Sequence, residues 1–250
     1  MSGVVLILGA TSAIAVATAR AFAQRGYDLY VAGRDVAELE RLASDIRLRY
    51  QCQVHCRSFD ADQLSEHAAF VAACQQDLEH SQQSLAGVVL AFGYLGDQQQ
   101  GQHDPAEAQA IVRRNFSAAV SLLEPCAAWL EQQQQGFLTI ISSVAGERGR
   151  QSNYLYGAAK GGLSLYAQGL RNRLFRAGVS VTTVKPGFVD TAMTYGKEGM
   201  FLLAQPEQVA KQIVQGSLRR QSVLYTPWFW RYIMLIIRSV PEILFKRLSL

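Results

Sequence analysis

The run Tyr156-Gly157-Ala158-Ala159-Lys160 sets a phenol and an ammonium four residues apart, hence on one face of a helix and within reach of each other. That pairing suits proton transfer, because reduction of a ketone needs a proton on oxygen as hydride reaches carbon. A free tyrosine, with a pKa of about 10, donates sluggishly at neutral pH. A neighbouring ammonium stabilises the phenolate, so Lys160 is expected to lower the pKa of Tyr156. Tyr154 competes for the acid role, but a lysine six residues further on faces another side of the helix. By itself the pair is weak evidence, and its surroundings decide its meaning.

A second constellation lies near the N-terminus. The apolar run from Val4 to Leu8 leads into Gly9-Ala10-Thr11-Ser12-Ala13-Ile14-Ala15 and then an amphipathic stretch. Strand, tight turn and helix N-terminus together offer free backbone N–H groups to a pyrophosphate; the alternative is a plain strand-to-helix turn. The next apolar run ends Ala32-Gly33-Arg34, where a chain preferring NAD(H) carries an acidic side chain for the ribose hydroxyls. A guanidinium instead matches a 2′-phosphate bidentately, which favours NADP(H) as cofactor. Arg34 has a bland alternative as a solvated residue opening the following helix.

These residues need elements to hold them. Short apolar runs at 4–8, 28–32, 53–59, 87–91, 137–142, 180–185 and 223–226 read as seven strands. The stretches 14–25, 36–50, 63–80, 106–134, 154–177 and 206–219 have helical length and spacing. Strand and helix alternate, which predicts an α/β fold: a Rossmann-type, doubly wound, seven-stranded parallel sheet with helices on both faces. Residues 1–226 are expected to form one NADP-binding domain with the active site, and 227–250 a C-terminal amphipathic tail on the same domain. Glutamine clusters at Gln98–Gln100 and Gln132–Gln135 read as loops or solvated helix ends.

Turn, pair and element order together resemble the short-chain dehydrogenase/reductase family, from Val4 to about Thr226. Gly9 matches the first glycine of the family's TGxxxGxG turn, while Ala13 and Ala15 stand at the second and third. The resemblance implies cofactor contacts at Gly9, Thr11, Ser12, Ala13, Ile14 and Arg34, and an adenine contact at Asp60. It adds Ala91 and Gly93, where the family usually has NNAG, together with Tyr156 and Lys160. Ser143 lies thirteen residues before Tyr156, the family's serine-to-tyrosine spacing, and Asn115 matches its fourth active-site member. Ser143 would hydrogen-bond the carbonyl oxygen as charge builds, Lys160 would also hold the nicotinamide ribose, and Asn115 would anchor a relay water. The segment Lys185-Pro186-Gly187-Phe188-Val189-Asp190-Thr191 looks like the family's PG segment, with Pro186, Gly187, Val189 and Thr191 on the cofactor.

Between Thr191 and Pro206 an apolar stretch with two glycines suits a substrate lid, with Met193, Met200 and Phe201 its candidate substrate contacts; covering the core is the alternative. The tail from Pro227 onward is rich in tryptophan, phenylalanine, isoleucine and leucine, and folding of the sheet alone does not call for it. Arg231, Arg238 and Glu242 fall in one stripe of a helical wheel with a wide apolar remainder, which suits a helix lying in a membrane interface. A homo-oligomer contact, dimer or tetramer, is the alternative. A looser resemblance, in the tail and Val88–Gly93, is to the branch holding decaprenylphosphoryl 2-keto-sugar reductases, which implies a lipid-like or lipid-linked carbonyl or alcohol substrate.

Composition bounds the remaining possibilities. The net charge of +4 is concentrated in Leu218–Leu250, where six basic residues face Glu242 alone; the remainder is near −1, which argues against a nucleic-acid surface. Four scattered cysteines and no secretory pattern after Met1 point to a reducing, cytoplasmic setting, with possible attachment limited to the inner membrane face. The four histidines show no metal-ligand spacing, so no metal is expected. A non-catalytic NADPH-sensing protein would keep Gly9 and Arg34 but have no need of Ser143, Tyr156 and Lys160 together.

Overall fold

The computed structural model describes residues 3–192 and 202–248. Its seven strands are β1 (Val4–Leu8), β2 (Asp28–Gly33), β3 (Val54–Ser58), β4 (Leu85–Leu90), β5 (Phe137–Ile141), β6 (Ser180–Pro186) and β7 (Val223–Thr226). They form one sheet in the order β3-β2-β1-β4-β5-β6-β7, every pair parallel. The chain therefore reverses its direction of winding at β1, between β2 and β4, and opens a crevice at the carboxyl ends of these strands.

Side-chain alternation explains why both faces are covered. In β1, Leu6 and Leu8 join one core with Leu122, Leu163 and Leu170, while Val5 and Ile7 join a second with Phe22, Leu39 and Ile213. Helices α1 (Ala13–Ala23), α2 (Val36–Tyr50) and α8 (Pro206–Leu218) supply the second core, and α3 (His67–His80), α6 (Ala118–Gln133) and α7 (Tyr154–Leu174) the first.

Two local differences from the sequence expectation have physical causes. The glutamine run is helical, forming α4 (Gln98–His103), because Asp97 caps it by accepting from the N–H groups of Gln99 and Gln100 at 2.8 and 3.0 Å. Asp104 then caps α5 (Pro105–Val112), accepting from Ala106 N–H at 2.9 Å, with Pro105 in the first turn. The expected helix over 106–134 is divided into α5, a π-turn at Arg113–Ser117, and α6. The wider turn carries Asn115, which is buried. Its Nδ2 donates to Ile111 O at 2.8 Å and also to Tyr94 O, so the helix widens where this side chain turns inward to a neighbouring loop.

Candidate active site

Because all strands run the same way, every residue that follows a strand lies on one edge of the sheet. Gly9 follows β1, Arg34 follows β2, Asp60 comes after β3, Ala91 and Gly93 follow β4, Ser143 follows β5, and Gly187, Val189 and Thr191 follow β6.

The nucleotide end of the crevice begins at Gly9, whose φ of +84° lies in the left-handed region. A side chain there would also meet Phe92 Cβ at 2.6 Å, so both backbone and packing require glycine. Thr11, Ser12 and Ala13 are exposed at the mouth of α1, and Ile14 is half-buried. Ser12 caps the helix, its Oγ accepting from Ala15 N–H at 3.3 Å and donating to Ala91 O at 3.4 Å across the crevice. Ala13 opens α1 in ordinary helical backbone, so the methyl that replaces the family's glycine brings no strain. Arg34 is exposed at the end of β2 and has no ion pair among the described residues. An open turn, a helix N-terminus and an uncommitted guanidinium form a donor set that fits a phosphorylated dinucleotide.

Asp60 is held in a tight turn, its Oδ1 accepting from Asp62 N–H at 3.0 Å and its carbonyl from Gln63 N–H at 3.0 Å. Asp62 lies between Arg113 and Arg114, at 3.1 and 2.7 Å, which immediately precede Asn115. These two arginines hold its carboxyl below the usual carboxylate range, with Arg114 the stronger influence. No sequence motif pointed to this link between the Asp60 turn and the Asn115 turn; the adjacent arginines before Asn115 were its one visible trace.

At the catalytic end, Tyr156 and Lys160 project from the first turns of α7 and are both buried. Ser143 Oγ accepts from Ala145 N–H at 3.1 Å as it caps a short turn, Val144–Glu147. Lys160 Nζ donates to Ile141 O at 3.1 Å and stands 5.8 Å from the centre of the Tyr156 ring. Burial pushes the phenol up to about 12, opposed by the nearby Ser143 hydroxyl, and burial pushes the ammonium down to about 8. The phenol thus moves opposite to the lowering expected from Lys160, because loss of water disfavours its charged form and that of Lys160 alike.

Asn115 reaches the same place from the π-turn. Its Oδ1 accepts from Tyr94 N–H at 3.1 Å, and its Nδ2 is spent on backbone carbonyls, so the amide holds the loop after β4. That loop brings Gly93 against the site: a Cβ there would lie 3.1 Å from Asn115 Oδ1 and 3.3 Å from Lys160 Nζ. Ser142, not anticipated, ties β5 to α7 by donating to Lys160 O at 2.9 Å and bonding Ser164 Oγ at 2.8 Å. The arrangement places a proton donor, a hydroxyl and an ammonium beside the end of a nucleotide crevice.

The sequence matches the model of the short chain dehydrogenase family over residues 3–199. This chain belongs to that family. It is 38% identical over 244 residues to an uncharacterized oxidoreductase of Mycobacterium tuberculosis, covering 98% of this chain and 96% of the relative. An uncharacterized oxidoreductase of Streptomyces coelicolor is 36% identical over 248 residues, covering 97% and 94%. Among solved structures, a short-chain dehydrogenase from Sphingobium yanoikuyae in complex with NADPH superimposes with a TM-score of 0.80 at 23% identity, covering 96% of this chain and 97% of its own.

In this short chain dehydrogenase the PG segment is braced from behind. Pro186 ends β6, Gly187 N–H donates to Thr226 O at 3.0 Å, and Val189 is buried and bridged to Ala204. Thr191 is half-buried next to it. The lid candidates Met193, Met200 and Phe201 lie outside the described residues.

The dehydrogenase's tail forms α9 (Trp230–Ser239) and α10 (Glu242–Phe245), with Pro241 dividing them. Trp230 and Met234 are fully buried in a core with Val144, and Phe188 meets the Trp230 indole edge-on at 5.3 Å. Two residues of the charged stripe reach back to the rest of the domain: Arg238 lies 3.5 Å from Glu147 and Glu242 2.6 Å from Arg148, at the end of the turn after Ser143. The outer face carries Trp228, Tyr232, Leu235, Ile236, Ile243 and Leu244, all more than half exposed.

Proposed function

We propose that this dehydrogenase is an NADP(H)-dependent ketone reductase and secondary-alcohol dehydrogenase, acting on lipid-like or lipid-linked substrates at the inner face of the cytoplasmic membrane. The carrying observation is that Lys160 stands 5.8 Å from the Tyr156 ring, with Ser143 beside them at the end of β5, at the end of a crevice that opens on an uncommitted Arg34. When bound, NADPH supplies the hydride. Tyr156 donates its hydroxyl proton to the carbonyl oxygen, and Ser143 Oγ–H hydrogen-bonds the same oxygen as negative charge develops. Lys160, anchored on Ile141 O, keeps a positive charge near the phenolate left behind, and its pKa of about 8 leaves it mostly protonated at neutral pH. Asn115 keeps the β4 loop in place, and with it the packing of Gly93 against Lys160.

Arg34 carries the cofactor preference. Replacing it with Ala is expected to weaken NADPH by about 10- to 100-fold, the worth of one charge-assisted contact, while NADH binding stays within about twofold. Fluorescence titration with both cofactors checks this; equal losses would refute the assignment.

The outer face of α9 and α10 supports the membrane part of the reading. Six large apolar side chains stand out beside Arg231, Lys246 and Arg247, the composition of a helix pair seated in lipid headgroups. No helix among the described residues is long and apolar enough to cross a membrane. Truncation at Thr226 would strip Trp230 from the core, so the informative variant is the double substitution Leu235→Ser and Ile236→Ser. Co-sedimentation of the intact chain with anionic vesicles, reduced at least about fivefold by this variant, is the expected result. A chain that ignores vesicles but loses a dimer or tetramer on the same substitutions would show that the face joins two copies.

A further inference from the structure

The turn Val144–Glu147, which begins at the catalytic serine, is enclosed from two sides. On the inner side it lies directly on α7. A Cβ at Gly157 would come within 2.9 Å of Ala145 O, one at Gly161 within 2.9 Å of Gly146 O, and one at Gly146 within 2.6 Å of Gly161 N. Three glycines thus let the turn rest backbone to backbone on the helix that carries Tyr156 and Lys160.

On the outer side the C-terminal segment presses on the same turn. Val144 packs into the core formed by Trp230 and Met234. Glu147, at the other end of the turn, is 4% exposed at its side chain, and its Oε1 accepts from Lys185 Nζ at 2.8 Å and from Tyr225 O–H at 2.6 Å. Its Oε2 lies 3.5 Å from Arg238 Nε. One buried carboxylate therefore gathers β6, β7 and α9 behind the turn. A buried anion bonded to donors on two elements and paired with a cation on a third is a stiff joint, because displacing any of them strips its compensation. Trp230 also reaches the cofactor side: a Cβ on Gly187 would fall 1.8 Å from its Nε1, so indole and PG segment are in direct contact.

We infer that the C-terminal helix is a positioning device for catalysis, acting through Glu147 and Trp230 to hold the Ser143 turn against α7 and to fix its distance from the PG segment. The inference rests on the catalytic reading of Ser143 and Tyr156. Neither Glu147 nor Trp230 touches the reacting atoms, and their effect runs through the placement of Ser143 and Gly187. Displacements of about 1 Å at a reacting group lower turnover by about 100-fold, so small losses of bracing are expected to show in kcat.

The test uses the full-length protein and the substitutions Glu147→Gln and Trp230→Phe, both near-isosteric. Amide hydrogen exchange is followed by mass spectrometry, and turnover is measured with NADPH and 2,2,2-trifluoroacetophenone. Exchange of the Ala145 and Gly146 amides, which are bonded to Ser143 Oγ and Ser143 O, is expected to rise at least about tenfold in both variants, with β1 and β4 unchanged. In parallel kcat falls about 10- to 100-fold while KM for NADPH stays within about twofold. Unchanged exchange in the turn, or faster exchange with unchanged kcat, overturns the inference. A Tyr156→Phe control that keeps its turnover would instead sink the catalytic reading, and the exchange data would still decide whether the tail holds the turn.

Discussion

Substituting Tyr156 with Phe yields a folded protein that binds NADPH normally and reduces ketones at least about 1000-fold more slowly, the loss expected when a positioned acid is removed. The ring stays in its buried seat and only the hydroxyl is lost, so the fold survives. NADPH fluorescence titration and steady-state reduction of a ketone read the two consequences separately. Residual turnover near the parent's would mean another acid serves the carbonyl, and Tyr154, the neighbouring phenol, is half-exposed and two residues away.

Lys160→Met is the second large effect, and it moves activity and stability in opposite directions. Burial lowers the folded-state pKa of Lys160 from 10.5 to about 8. Below pH 8 both folded and unfolded chains carry the charge, and the folded chain bears its full desolvation penalty. Between about 8 and 10.5 the unfolded chain binds more protons than the folded one, so stability rises with pH across that window. Removing the charge at pH 7 relieves a penalty of about 3 kcal/mol, offset by about 1 kcal/mol for the lost bond to Ile141 O. A net gain of about 2 kcal/mol, seen as a higher denaturant midpoint with unchanged slope, is expected along with a loss of turnover of about 100-fold or more. The variant also loses the rise in stability between pH 8 and 10. A destabilised variant would show that Lys160 is seated for the benefit of the fold rather than the reaction.

Where residues carry their meaning in local spacing, the sequence was sufficient. Seven apolar runs alternating with helical stretches specified the parallel sheet, because strands buried on both faces must be continuously apolar. Strands β1 and β7 and helix α2 begin and end at the expected residues. Gly9, Arg34, Ser143 and the Tyr156–Lys160 pair were visible for the same reason, each lying at a strand end or a fixed helical interval.

Tertiary structure decided what depends on contacts between distant segments. The pKa values of Tyr156 and Lys160 follow from burial, which spacing does not encode, and burial reversed the expected direction for the phenol. The π-turn at Asn115 arises from a loop more than twenty residues upstream that claims its side chain. The ion pairs of Arg238 and Glu242 were invisible to a helical wheel, which knows only its own helix, because their partners Glu147 and Arg148 lie about ninety residues earlier in the chain. The sequence by itself determined the sheet and the nucleotide turn and put Ser143, Tyr156 and Lys160 forward as candidates, since these are written in local spacing and the resemblance it carries. Only the folded chain decided that Trp230 and Glu147 stand behind the turn after Ser143, because long-range packing alone brings α9 to the end of the fifth strand.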